Sequence, residues 1–165
     1  MTQATKKITK RDTKINLRNA QAIFKQAFHV VTEEIGGNEK LIFPKEIMWL
    51  GGAPGAGKGT NTPFINRVRD ITAPPIVMSD LLNSPEMQVI KDAGHLVGDA
   101  ESFELLLREL LKPVYESGVV VDGFPRTKVQ VECVRLFYNK MMELRREFFD
   151  TPIGPQFRLH LFSGR

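Results

Sequence analysis

The stretch of sequence that decides the fold reads Gly52-Ala53-Pro54-Gly55-Ala56-Gly57-Lys58-Gly59-Thr60. It follows a short apolar run, 47–50, that is typical of a buried strand, and it precedes residues 63–69, which resemble the start of a helix. A glycine-rich turn between a strand and a helix wraps backbone N–H groups around a phosphate. Lys58 adds a mobile ammonium that can follow the outer phosphates. The stretch therefore predicts a site for a nucleoside triphosphate.

The hydroxyl of this loop is displaced from its usual position. A phosphate loop generally carries Ser or Thr directly after its lysine, where the hydroxyl binds magnesium. Here Gly59 follows Lys58, and the hydroxyl comes on the next residue, Thr60. This variant, with Pro54 inside the loop, resembles the phosphate loop of adenylate kinase and the related nucleoside monophosphate kinases.

A second motif follows the β-branched run at 118–121 and reads Asp122-Gly123-Phe124-Pro125-Arg126-Thr127. Ligands of open α/β sheets bind where the strands end. A carboxylate there, Asp122, can hold magnesium through its water shell, and Arg126 presents a planar cation suited to a phosphate. Taken alone, the motif could also be a tight turn with a surface ion pair. The segment resembles the second signature of adenylate kinase.

Two looser segments lie between these motifs. They read Ser79-Asp80-Leu81-Leu82 and Gly94-His95-Leu96-Val97-Gly98-Asp99, and they resemble the monophosphate-binding helices of the same family. After the second motif, Gln130 falls where adenylate kinases carry a glutamine that reads the adenine edge, and an amide can pair bidentately with adenine. The resemblance covers residues 47 to about 162.

The resemblance implies transfer of a phosphoryl group from ATP to a nucleoside monophosphate, AMP first, with Mg2+ as cofactor. The loop at 52–60 holds ATP, Asp122 together with Asp80 positions magnesium through water, and Arg126 grips the acceptor phosphate. The catalytic residues are then Lys58, Asp122 and Arg126, and catalysis is mostly positioning and charge neutralisation. The other acceptor contacts that the resemblance implies are Met78, Leu96, Val97, Gly123 and Gln130.

Strand-like and helical patterns alternate along the chain, which predicts an α/β fold with a parallel sheet. With the resemblance, we expect a P-loop NTPase-type sheet in a three-layer α/β/α sandwich, with a small helical insertion that binds the monophosphate. The expected strands are 47–50, 75–78, 118–121 and 155–162, and the expected helices are 15–34, 57–71, 101–116 and 127–149. The predicted organisation is a basic flexible tail at 1–14, a helical extension at 15–45 and a kinase-like domain at 46–165, with its monophosphate-binding helices at 79–116.

The chain departs from the family pattern at two places. Asn83 stands where the family usually has an arginine, and Met78 stands where it often has a threonine near the acceptor base. A neutral amide holds a phosphate less tightly, so UMP, CMP or another small acceptor stays open. The sequence also ends at Arg165, before the arginine-rich lid and last strand of the family. A truncated kinase, or a nucleotide-binding module without turnover, is therefore an alternative.

The composition is that of an ordinary globular protein, with 42% hydrophobic and 25% charged residues in 165. No long uncharged apolar run or secretory signal is visible, so no membrane partner is expected. A single cysteine, Cys133, suits a reducing compartment, and we expect a cytoplasmic monomer. The net charge of +4 is concentrated near the start of the chain. A solvated tail is favoured there over a nucleic-acid-binding arm.

Overall fold

The structure is a computed structural model that describes residues 10–53, 55–95 and 97–152, with side chains from residue 17 onward. The first helix, α1, spans Lys10–Ile35. It begins ahead of the predicted start at Ile15, so residues 10–14, assigned from sequence to the flexible tail, are helical. The strand predicted at 155–162 lies outside the described residues.

The described strands form one parallel sheet. They are β1 at Ile47–Leu50, β2 at Ile76–Val77 and β3 at Val119–Asp122, in the order β1-β3-β2. The residues Val119, Val120 and Val121 of β3 are fully buried, as expected for a β-branched strand covered on both faces. The predicted α/β fold with a parallel sheet is confirmed for this part of the chain.

Helices connect the strands, and several of their ends differ from the sequence expectation. They are α2 at Lys58–Val68, α3 at Met78–Leu82, α4 at Pro85–Asp92, α5 at Asp99–Leu110 and α6 at Lys128–Glu147. The helix predicted to run to residue 116 stops before Pro113, which has no N–H and disfavours helical backbone at Lys112. Short 3-10 helices lie at Asn38–Lys40 and Pro113–Tyr115. In the described part of the chain, each helix is too short or too polar to traverse a lipid bilayer.

The helix α1 packs against both α5 and α6 and belongs to the central core. Its buried face contributes Ala20, Ala27, Phe28 and Val31. The ring of Phe24 lies 6.0 Å from that of Phe103 on α5. At the exposed rim, Arg108 of α5 donates to Glu34 of α1 at 2.8 Å. The segment that the sequence sets apart as an extension therefore packs against both α5 and α6 and belongs to the same core.

The packing of α1 on α6 predicts an unreactive thiol. Cys133 is fully buried and its Sγ lies 3.7 Å from the Ala20 carbonyl oxygen. Burial, with smaller contributions from the charges of Asp99 and Glu132, raises the pKa of the Cys133 thiol from 9.0 to about 12. Because the thiolate is the nucleophile, iodoacetamide at pH 8 is expected to leave the native protein unmodified.

Labelling in urea is the matched control, since the unfolded chain exposes the same thiol. Mass spectrometry should show one added group in urea and none in buffer. Rapid labelling of the native protein would contradict this packing of α1 on α6. Because the folded pKa is the higher one, the thiol should lower the stability of the fold only as the pH rises through the window from 9.0 to about 12.

Candidate functional site

The two sequence motifs meet at one edge of the sheet. The strands β1 and β3 are parallel neighbours in which Leu50 pairs with Asp122, so the loops that follow them leave the sheet side by side. The N–H of Gly123 donates to the Leu50 carbonyl at 3.3 Å, which joins the beginnings of the two loops. Between the loops lies a cleft of about 370 Å³ lined by Leu50, Gly51, Gly52, Lys58, Gly123, Phe124, Pro125 and Arg126. Ligands of parallel sheets bind at such an edge.

The glycine-rich loop leads directly into the start of α2. Gly57 caps this helix with a φ of 80°, a left-handed conformation that a residue with a Cβ adopts only under strain. The first N–H groups of α2, on Lys58, Gly59 and Thr60, have no carbonyl one turn ahead of them in the helix. Together with the positive end of the helix dipole, they favour an anion at this position.

The ammonium of Lys58 lies within the loop. Its Nζ donates to the carbonyl oxygens of Gly52 at 3.0 Å and Ala53 at 3.2 Å. The same Nζ lies 3.8 Å from Asp122 Oδ1, and both side chains are 19% exposed. The lysine therefore joins the glycine-rich loop to the second motif. Its present partners include two neutral carbonyls, and a phosphate oxygen would attract it more strongly than they do.

The guanidinium of Arg126 lies against the backbone of Gly123. A Cβ built on Gly123 would come within 2.5 Å of Arg126 Nη2 and 3.4 Å of its Cζ. The turn is anchored by Phe124, which is buried and packs between the rings of Trp49 and Phe103. The arginine itself is exposed, so its head group remains available at the rim of the cleft.

Substituting alanine for Gly123 is expected to disturb both the backbone and the arginine. The φ of 86° is unfavourable for alanine, and the new methyl group would displace the guanidinium. We expect a loss of stability of about 1–3 kcal/mol and, if the cleft binds ATP and an acceptor as the resemblance implies, a raised KM for the acceptor at an unchanged KM for ATP. Thermal unfolding and steady-state kinetics measure the two effects.

Gly118→Ala is the control for that substitution. Gly118 also has a positive φ, of 128°, but it lies at the other end of β3, where its Cβ would contact Ile71 and Glu46. It should destabilise the fold without changing the acceptor KM. Equal effects of both variants on that KM would show that strain in β3, and not the place of Arg126, is responsible.

The side chain of Gln130 is engaged within the protein. Its Oε1 accepts from the Arg126 N–H at 2.7 Å, and its Nε2 donates to Asp99 Oδ1 at 2.9 Å. Only 7% of the residue is exposed. The sequence analysis predicted that this amide pairs with the edge of an adenine base. In the structure its oxygen contacts the Arg126 turn and its nitrogen contacts Asp99 of α5.

The other predicted acceptor residues are placed differently from one another. Met78 is 1% exposed and lies in the hydrophobic core, so its side chain packs rather than lining the cleft. Val97 is half-buried just ahead of α5. Leu96, and Pro54 of the glycine-rich loop, lie outside the described residues. The cleft is thus lined by Lys58, Gly123 and Arg126, Asp122 lies beside Lys58, and Met78 is not among the lining residues.

The carboxylates fit a magnesium ion held mainly by substrate. Within the described residues, no group of three or more His, Cys, Asp or Glu side chains could form a metal site by itself. Magnesium, however, commonly uses one or two carboxylates, several waters and phosphate oxygens. Asp122 lies half-buried beside Lys58, and Val77 pairs with Asp122. Asp80 follows on α3, which begins directly after β2, so both carboxylates belong to the same edge of the sheet.

A cation that the sequence interpretation missed lies next to Asn83. The Nζ of Lys91 donates to the Leu82 carbonyl at 2.6 Å and lies 3.3 Å from Asn83 Oδ1. Lys91 is in the last turn of α4, and Ser84 caps that helix directly after Asn83. The helix therefore folds back along the end of α3. Lys91 lies eight residues after Asn83. No repeating pattern in the sequence links these two positions, so the contact could not be predicted.

No model of a known protein family matches the chain. The cleft at the ends of these two parallel strands is lined both by the glycine-rich loop with its lysine and by the arginine-bearing turn.

Proposed function

We propose that this protein is a nucleoside monophosphate kinase that transfers the γ-phosphoryl group of ATP to AMP or a similar acceptor. The observation that supports the proposal is the placement of two cationic side chains, Lys58 and Arg126, on one cleft. They come from different strand ends and from different sequence motifs. A reaction between two phosphates needs a cation at the donor and another at the acceptor.

On the donor side, the α2 N–H groups and Lys58 would hold the triphosphate. The ammonium would exchange the carbonyl oxygens of Gly52 and Ala53 for phosphate oxygens, a short movement of a flexible side chain. A magnesium ion held by Asp122, Asp80 and the phosphates would neutralise further charge when bound. The cleft walls exclude water from one side of the reacting groups.

On the acceptor side, Arg126 would hold the monophosphate through its planar fork. An oxygen of that phosphate then attacks the γ-phosphorus in line, while the bond to the bridging oxygen of ADP breaks. The products are ADP and a nucleoside diphosphate, with no covalent intermediate on the protein. The chain contributes position and charge, which is the main source of rate in phosphoryl transfer.

The choice of acceptor is a second part of the proposal. AMP is favoured by the position of Gln130 in the sequence. UMP, CMP or another small acceptor is favoured by the contacts of that amide, because Asp99 and Arg126 already occupy both of its ends.

Because both cations belong to one chain, a monomer suffices. The buried, reduced Cys133 suits the proposed cytoplasmic location.

A coupled assay of ADP formation tests the function. ATP with Mg2+ is supplied with AMP, UMP or CMP in turn, or with no acceptor. We expect ADP release that depends on one of these acceptors and saturates with it. If a fluorescent ATP analogue binds but no acceptor increases ADP release, the protein is a nucleotide-binding module and the kinase proposal fails.

A further inference from the structure

Asp99 connects the start of α5 to the arginine-bearing turn. It is the first residue of α5, and its Oδ1 accepts from Thr127 Oγ1 and from Gln130 Nε2, each at 2.9 Å. Thr127 is the N-cap of α6, and its hydroxyl oxygen also accepts from the Gln130 N–H at 3.1 Å. One carboxylate oxygen thus fixes two side chains at the beginning of another helix.

The connection continues to the backbone of Arg126. Gln130 Oε1 accepts from the Arg126 N–H at 2.7 Å, so the path runs from Asp99 through the Gln130 amide to the arginine main chain. The Gln130 side chain is buried and has both ends engaged, which leaves it little freedom to change partners. Any movement of Asp99 would therefore be passed to the residue that carries the guanidinium.

Asp99 lies in the first turn of α5 and accepts both of these hydrogen bonds. An aspartate in the first turn of a helix is stabilised by the positive end of the helix dipole. A carboxylate also accepts stronger hydrogen bonds than a neutral oxygen does. Both groups that donate to Oδ1, the Thr127 hydroxyl and the Gln130 amide, are neutral. Asp99 is therefore the charged partner in both hydrogen bonds.

We infer that Asp99 is a positioning residue, which acts through Gln130 to set the place of Arg126 on the acceptor side of the cleft. The inference rests on the proposed function and adds a role for the Gln130 amide other than contact with a base. Asp99 touches neither reacting phosphate in this account. Loss of its hydrogen bond to Gln130 should raise the KM for the acceptor and leave the KM for ATP unchanged.

An exchange of functional groups between positions 99 and 130 tests the link. In Gln130→Glu two carboxylates face each other, so we expect the acceptor KM to rise about tenfold. Asp99→Asn keeps an acceptor and should change that KM by no more than about threefold. In the double variant the amide introduced at position 99 can donate to the carboxylate introduced at position 130, and the acceptor KM should return to within about threefold of Asp99→Asn. The KM for ATP should stay constant throughout.

Glu101→Gln is the matched control. It removes a negative charge from the same turn of α5, but Glu101 accepts from the Gly98 N–H and does not contact Gln130. Combined with Gln130→Glu, it should give no recovery. The inference would be overturned if Glu101→Gln restored the acceptor KM of Gln130→Glu, or if Asp99→Asn failed to restore it. Failure of Asp99→Asn is the result expected if Gln130 contacts a base instead.

Hydrogen exchange at the Arg126 amide separates this inference from the proposed function, because it needs no turnover. Exchange should be slow in the wild type, about tenfold faster in Gln130→Glu and slow again in the double variant. If the wild type transfers no phosphoryl group but shows this exchange pattern, the kinase proposal fails and the link survives. Active protein with unaltered exchange in all three variants would overturn the link alone.

Discussion

Replacing Lys58 with methionine is expected to lower kcat by about 10²- to 10³-fold. Methionine matches the lysine side chain up to Cε but removes the ammonium that lies between the glycine-rich loop and Asp122. The charge on the transferring phosphate would then have no mobile cation to balance it. Steady-state rates of ADP formation at saturating ATP and acceptor measure the effect.

The loss should come from the site and not from unfolding. Lys58 is the first residue of α2 and lies at the surface of the cleft, so the thermal midpoint should move little. Lys112→Met provides the control, because that exposed lysine pairs with Glu109 and lies outside the cleft lining. Turnover within about threefold of wild type in Lys58→Met would remove this lysine from the mechanism.

Replacing Arg126 with alanine is expected to lower kcat/KM for the acceptor by about 10²-fold or more. The guanidinium is exposed at the rim of the cleft, which the glycine-rich loop also lines, and no other arginine among the described residues lines that cleft. The KM for ATP should change little, since the donor loop is formed by other residues. Arg126→Lys should recover only part of the loss, because an ammonium keeps the charge without the planar fork.

Arg135→Ala is the matched control on the neighbouring helix α6. Arg135 is exposed there and pairs with Glu132, so its removal changes the net charge equally. It should leave both KM values unchanged. If the two alanine variants are impaired alike, the effect comes from the overall charge. If Arg126→Ala alters the KM for ATP instead, the donor and acceptor sides have been assigned the wrong way round.

The meeting of the two motifs could be predicted from sequence for a simple physical reason. The runs at 47–50 and 118–121 have the composition of buried strands, and parallel strands end at the same edge of their sheet. A loop that follows each strand must therefore emerge at that edge. Lys58 and Arg126 line one cleft and Asp122 lies 3.8 Å from the Lys58 ammonium, but the shared role of these residues was predicted from the family resemblance.

The contacts of Asp99, Gln130 and Lys91 could not be predicted in the same way. Asp99 and Gln130 are 31 residues apart, and no periodic pattern records which polar ends meet across that distance. The interpretation of Gln130 as a base reader followed from the resemblance alone. Likewise, the apolar spacing of α1 predicted a helix with a buried face, but it contained no information that α5 and α6 would cover that face.

The position of α1 constrains how this protein can move. A helix packed on two others ties them into one rigid block, because sliding either partner would open a gap along a close-packed surface. Both α5 and α6 begin beside the Arg126 turn, so we expect that turn to move together with the block. Within the described residues, any closure over a bound ligand is then expected of the glycine-rich loop and of the short helices α3 and α4. If the proposed function is right, the binding side for the acceptor is preformed, and the segments expected to adjust are those that would contact the triphosphate and the nucleoside.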